Sequence, residues 1–298
     1  MTQRKIKTTL GDCLKKLEKT FKKTGMHFGH GTDNAWDEAV QLVSYVLDLP
    51  PDADRSVLSH RLTEKEIISI KQLSDERIQT RKPLSYLTHR AWFMRRSFYV
   101  DERVLISRSL FAEWIERQFT PWIEPEKVHR ILDIGTGSGC IAICCALMFL
   151  EATVDAVDIS ADALTVAQKN VDDYRLNDRV KLIQSNCFEN LKNKKYDVII
   201  SNPPYVGDGE MATLPQEYHY EPKLALRADE DGLAIVRVIL KEAGKHLNKN
   251  GILLVEVGDG IEKMEKIFPH IPFVWLDQVY GEEGAFLLTQ EQLNKNIT

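Results

Sequence analysis

The chain has 298 residues, 43% of them hydrophobic and 28% charged, with a formal net charge of −5. Such a make-up matches globular usage and argues against a predominantly disordered chain, and the length exceeds one typical domain, so a large domain plus a smaller one is expected. No apolar stretch approaches the roughly 20 residues of a membrane-spanning helix, and Met1-Thr2-Gln3-Arg4-Lys5 does not open like a secretory signal, so a cytoplasmic location without membrane contact is expected.

Residues 1 to 30 hold eight Lys/Arg against two Asp/Glu, a net +6 that leaves −11 on the remainder. Leu10, Leu14, Leu17 and Phe21 recur at helical spacing in this basic arm, which predicts an amphipathic helix packed on something, its lysines forming a solvated face. A second helix follows Asp33 or Asn34 as its cap, with Trp36, Val40, Val43 and Leu47 on one face. Thr63 to Glu66 has the form of a capping box and opens a third helix running to about Gln79, before Pro83 breaks the pattern. Residues 1–90 are therefore expected to form a helical domain.

The aromatic and β-branched run "AWFMRRSFYVDERVLI" predicts a hairpin turning at Asp101-Glu102-Arg103, and 91–107 is expected to link the domains. After a helix near Leu110 to Phe119, seven short apolar runs alternate with longer amphipathic segments: "RILDI", "TVDAVDI", "VKLI", "YDVII", "GILLVEV", "FVWLDQV" and "AFLLTQ". The alternation predicts a mostly parallel sheet covered by helices over 108–298. Only "YGEEG" separates the last two strands, so they are expected to pair antiparallel.

The five cysteines, Cys13, Cys140, Cys144, Cys145 and Cys187, lack zinc-site spacing and are read as reduced thiols. His27 and His30 in "HFGHG" have no companion ligands and are read as a polar loop. No metal is expected.

The loop "LDIGTGSGC" follows the first large-domain strand and opens a helix. Gly135, Gly137 and Gly139 let the backbone turn sharply beside a ligand, with Thr136 and Ser138 between them. Asp158 ends the next strand, 19 residues after Gly139, where a carboxylate can accept from ribose hydroxyls. Asp133 precedes the loop and suits a cationic ligand better than a pyrophosphate, so S-adenosylmethionine is the expected cofactor. Asp133 can also simply brace the turn. Asn186, followed by Cys187, can offer the adenine edge both a donor and an acceptor.

The fourth large-domain strand runs into Asn202-Pro203-Pro204-Tyr205. Pro203 and Pro204 have no N–H to donate, so they stiffen the loop and leave carbonyls free to accept. Asn202 adds a side-chain carbonyl, and two acceptors can hold both hydrogens of an –NH2 group while Tyr205 stacks on the plane that carries it. Asn202 to Tyr205 are thus the candidate catalytic residues, with Asn202, Pro203 and Tyr205 also holding substrate and Asn202 also expected to contact the cofactor. His219 and Glu221, in the insertion after the motif, either shape the acceptor pocket or hold the loop.

The Asn-Pro-Pro-Tyr motif with the glycine loop resembles methyltransferases acting on exocyclic or amide –NH2 groups. With "FYVDERVLISRS", "EYHYEPKLAL" and "DGLAIVRVIL", nearly the whole chain resembles the protein-(glutamine) methyltransferase family, and "HFGHGTDNAWDEAVQLV" resembles its branch that modifies a glutamine of ribosomal protein L-three. The resemblance implies a Rossmann-like class I methyltransferase sheet, mostly parallel with its last strand antiparallel, behind a small helical substrate-recognition domain. It also implies cofactor contacts from Gly135 to Gly139, Asp158, Asn186 and Cys187, and substrate contacts from Asn202 to Tyr205. The chain departs from the family pattern at Asn186, where aspartate is usual, at Ser107 to Leu110, where Pro-Arg-Ser-Pro is favoured, and at Met94-Arg95-Arg96, where the family is more glycine-like.

Three alternatives stand beside this reading. Release factors are the substrates of the sister branch; DNA adenine methylation would call for a basic surface that residues 31–298 do not supply; a non-catalytic ribosome-assembly factor is opposed by the intact motif. The basic arm fits contact with ribosomal RNA or an assembly intermediate.

Overall fold

The computed structural model describes residues 8–50, 53–276 and 284–297. The chain forms two compact units, one made of residues up to Glu102 together with Pro215–Tyr220, the other of Arg103–Leu214 together with Glu221 onward. Among the described residues, no helix is long and apolar enough to cross a membrane.

In the first unit, helices Leu10–Lys23, Ala35–Val46 and Glu64–Thr80 open on Thr9, Asn34 and Thr63, whose side chains accept the orphan N–H groups of the first turn. Leu10, Leu14, Leu17 and Phe21 are buried in a cluster with Ala39, Leu42 and Ile70. The second helix, however, buries Ala35, Glu38, Ala39, Leu42 and Val43, leaving Trp36 36% exposed. Its inward face is rotated from the expected one because Glu38 goes inside. There Glu38 accepts from Arg77 Nε at 2.7 Å and from the Thr32 hydroxyl at 2.6 Å, a pairing that apolar periodicity does not register. The network extends to Glu217, which accepts from the His27 N–H at 3.0 Å and pairs with Arg81 Nε at 2.8 Å. "HFGHG" is accordingly not a solvated loop: His30 is buried, its ring 4.4 Å from that of Tyr218.

The hairpin consists of β1 (Ala91–Phe93) and β2 (Arg96–Phe98), paired antiparallel. Its turn falls at Met94-Arg95, both at positive φ (48° and 58°), not at Asp101 to Arg103. Each such residue costs about 1 kcal/mol without a glycine, which is why turn-residue signals missed it. The hairpin belongs to the first unit, so the expected 91–107 linker is divided between the two.

The second unit carries β3 (Arg130–Ile134), β4 (Thr153–Asp158), β5 (Val180–Gln184), β6 (Tyr196–Ser201), β7 (Leu247–Gly258), β8 (Val274–Trp275) and β9 (Gly284–Thr289) in one sheet of order β5-β4-β3-β6-β7-β9-β8. The strands from β5 across to β7 are parallel; β9 runs antiparallel to β7, and β8 antiparallel to β9. The "YGEEG" connection lies largely outside the described residues. Leu132, Ile199, Leu253 and Phe286 pack with Val236 and Ile239 of helix Ala234–His246. Ile131, Val198, Ile200 and Leu254 alternate with them and are equally buried. Burial on both faces explains why these strands read as continuous apolar runs.

Candidate active site

The chain leaves β3 for β4 on one side and later returns to place β6 on the other, so the carboxyl ends of β3 and β6 form the switch point where open α/β sheets bind ligands. Register sets what meets there. Ile134 lies opposite Ser201 and Val157, and Asp158 opposite Gln184. The next residues along each strand are therefore Gly135, Asn202, Ile159 and Ser185, and four loops rise from one sheet edge. The Ser201 hydroxyl donates to the Ile134 carbonyl at 2.9 Å, tying the first two loops at their roots.

Together these loops line a cavity of about 500 Å³ that contains Gly135, Gly137, Asp158, Asn186, Cys187, Asn202, Pro203 and Pro204. Its volume lies within the roughly 300–1,000 Å³ of small-molecule sites. Asp158 accepts from the Gly137 N–H on one oxygen and from the Ser160 N–H on the other, both at 2.9 Å, which leaves lone pairs for ribose hydroxyls. Burial raises its pKa. Asn186 donates to Glu189 Oε1 at 2.9 Å; an aspartate there would face that carboxylate as a like charge, so the departure from the family pattern is matched locally. Cys187, at φ +46°, is buried, and burial pushes its thiol up to about 11.

Several expected contacts stand behind the cavity wall. Asp133 is fully buried, accepts from the Thr136 hydroxyl at 2.6 Å and so braces the turn; it is not among the residues lining the cavity. Burial holds its pKa at about 7. Ser138 likewise supports the loop, its carbonyl accepting from the Asn170 amide at 2.8 Å. Gly139 packs against Ala167, whose Cβ would stand 3.3 Å from an added Cβ, whereas a Cβ at Gly137 would meet nothing within 4 Å. The need for glycine at Gly137 is thus its φ of +53° and not clearance.

Tyr205 is half-buried and is not among the residues lining the cavity. A Cβ at Gly258 would come within 2.6 Å of Tyr205 Cε2, and one at Gly232 would run into the Tyr205 carbonyl oxygen. The ring and backbone of Tyr205 are seated by these two glycines, which support the end of the motif. Glu221 does not line the cavity either; it accepts from the Ile106 N–H and pairs with Arg108. His219 belongs to the segment Pro215–Tyr220 of the first unit. Conversely, Arg103, Val104 and Leu105 on one side and Pro222 to Ala225 on another line the cavity unforeseen. The only signal for them was membership of the two quoted runs "FYVDERVLISRS" and "EYHYEPKLAL".

Among the described residues no cluster of His, Cys, Asp and Glu is arranged to hold a metal ion. The glycine turn, Asp158 and the Asn202 motif meet around one cavity at the switch point of a mostly parallel sheet, the arrangement of a Rossmann-like methyltransferase. A model of the methyltransferase small domain matches residues 116–217. The catalytic domain of hMettl16 in complex with MAT2A 3'UTR hairpin 6 shares the fold, with a TM-score of 0.52, 16% identity, and coverage of 83% of this chain and 92% of that one. The ribosomal protein uL3 glutamine methyltransferase of Neisseria gonorrhoeae is 46% identical over 287 residues, 96% of each chain. The same-named protein of Francisella tularensis is 45% identical over 271 residues, 91% of this chain and 86% of that one. The chain belongs to the ribosomal protein uL3 glutamine methyltransferase family.

Proposed function

We propose that the protein methylates the side-chain amide nitrogen of a glutamine in ribosomal protein uL3, using S-adenosylmethionine held at the switch-point cavity. The observation that carries the reading is the strand register, which brings the Gly135 loop, Asp158, Asn186 and the Asn202 motif to one cavity. The substrate is supported by what the relatives at 45–46% identity are named for. Gly135, Gly137, Asp158, Asn186 and Cys187 would hold the cofactor, which when bound supplies an electrophilic methyl carbon on a sulfonium sulfur.

The chain's own residues do the rest by orientation. An amide nitrogen is a poor nucleophile because its lone pair is delocalised into the carbonyl. The Asn202 side-chain carbonyl and a proline carbonyl accept its two hydrogens, which raises electron density on nitrogen and aims the lone pair at the methyl carbon. Once methylated, the nitrogen would be cationic and strongly acidic, and the carbonyls that held its two hydrogens would leave one of them to pass to solvent as a proton. Neither a metal nor a dedicated base is required by this balance.

The exposed lysines of helix Leu10–Lys23, Lys15, Lys16, Lys19, Lys22 and Lys23, support contact with ribosomal RNA of an assembly intermediate. A cytoplasmic location is part of the same proposal, supported by where such a substrate is made.

The deciding experiment incubates the protein with methyl-labelled S-adenosylmethionine and separated ribosomal proteins, release factors and duplex DNA, then maps the label. Label on a glutamine of uL3 is the expected outcome, and Asn202→Ala should lower its rate by about 10²–10³-fold with cofactor binding retained. Label on a release factor keeps the chemistry and overturns the substrate; label on DNA overturns both.

A further inference from the structure

Two walls of the cavity come from segments more than a hundred residues apart, neither of them a sheet strand. One contributes Val104 and Leu105, the other Pro222 and Leu224. The remaining walls are fixed by the β3–β6 ladder and by the helices packed on it. One buried side chain bridges the two irregular walls. Glu221, its carboxylate fully buried, directly precedes Pro222; its Oε1 accepts from the Ile106 N–H at 2.9 Å and from Arg108 Nη1 at 2.7 Å, and its Oε2 accepts from Arg108 Nη2 at 2.9 Å. Arg108 Nη1 also donates to the Ile106 carbonyl at 3.0 Å. The Arg108 side is itself pinned: the Ser109 hydroxyl and the Leu110 N–H both donate to buried Glu256 on β7, at 2.6 and 3.2 Å, and Ser107 meets Ser138 at 3.2 Å.

We propose that Glu221 is a positioning residue that ties the 103–105 wall to the 222–225 wall and so sets the width of the cavity mouth through which the acceptor glutamine enters. The inference rests on the methyltransferase reading above. The mouth is on the acceptor side because the 222–228 segment is joined to the end of the catalytic motif, the Val206 N–H donating to the Leu226 carbonyl at 2.9 Å and the Ala228 N–H to the Val206 carbonyl at 3.0 Å. A buried ion pair of this kind is a weak source of net stability, because desolvation offsets its attraction. A bidentate fork, however, fixes distance and angle together, and an error of about 1 Å in placement is enough to cost roughly 10²-fold in rate. Exposed rim pairs such as Arg227 with Asp229 have no such leverage, since solvent screens them.

Glu221→Gln keeps the shape while removing the charge and one acceptor, and Arg108→Lys keeps the charge while removing the fork. Both are read in the full-length protein by hydrogen exchange over 103–110 and 221–228, with β6 as internal reference, by calorimetry with S-adenosylhomocysteine, and by steady-state kinetics on the acceptor protein. The expected result is faster exchange in both segments together with β6 unchanged, product affinity within about threefold, and an acceptor KM raised roughly tenfold or more with a smaller change in kcat. Faster exchange throughout, β6 included, marks Glu221 as merely structural and overturns the proposal, as does an unchanged acceptor KM. Should the unaltered protein methylate no glutamine, the proposed function falls, while the exchange pattern still tells whether the tie exists.

Discussion

Asp133 is held in a state that an exposed carboxyl does not keep. Burial moves its pKa from 3.8 up to about 7, outweighing the Thr136 hydroxyl that favours the anion. Between those two values the folded protein retains a proton that the unfolded chain gives up. The stabilisation is therefore complete below about pH 4 and is lost as pH rises through 7. Asp133→Asn is neutral throughout and keeps an acceptor for Thr136. In parallel thermal unfolding, the stability of the variant relative to the parent should rise between pH 4 and 8, by up to about 4 kcal/mol at 1.36 kcal/mol per pKa unit. A difference that stays constant across that range would show that Asp133 is ionised in the fold.

At the scale of elements, the loop from Asn202 to Tyr205 depends on glycines that belong to other parts of the chain. Gly258 ends β7 at φ +52°, with Tyr205 filling the space its side chain would take. Gly258→Ala should cost about 1–2 kcal/mol for the left-handed backbone alone, and the displaced Tyr205 ring should carry the Asn202 motif with it. The expected outcome is a lowered melting temperature and a kcat that falls further than cofactor affinity does, checked by unfolding scans and kinetics on the same preparation. Sequence reasoning located the motif but not these supports, because spacing along the chain does not reveal which distant glycine a ring will pack on. The sheet was legible for the opposite reason: runs such as "RILDI" and "YDVII" are buried on both faces, and that burial is written in consecutive residues. The first unit was legible only in part. Leu10, Leu14, Leu17 and Phe21 give a clean stripe, whereas the second helix turns toward Glu38, whose partners Thr32 and Arg77 are visible only once the chain is folded. That the loop from Asn202 to Pro204 lines the cavity could be read from the sequence, since two prolines at the carboxyl end of a strand stand out; Val104, Leu105 and Leu224 could not, being ordinary apolar residues that the fold happens to bring to the cavity.

For the whole molecule the relevant quantity is how charge is divided. The first 30 residues carry +6 and the other 268 carry −11, and a ribosomal protein is strongly basic because it binds RNA. The acidic remainder is complementary to such a substrate, and complementarity of this sort acts mainly on encounter. Exposed charges are screened over about 10 Å at 0.1 M salt. Raising the ionic strength from about 50 to 300 mM should therefore lower kcat/KM for isolated uL3 several-fold through association, with kcat little changed. Replacing Lys15, Lys19 and Lys23 with Gln makes the whole chain more negative while leaving the acidic remainder unchanged, and should leave that salt dependence intact or steepen it. The same substitutions should weaken association with an RNA-bearing assembly intermediate and flatten its log-log salt slope by about 0.9 for each phosphate that a lysine no longer neutralises. Comparing the two substrates across one salt series separates the roles: if the lysine substitutions affect both alike, the basic helix meets the ribosomal protein itself, and if they affect neither, its lysines form only a solvated face.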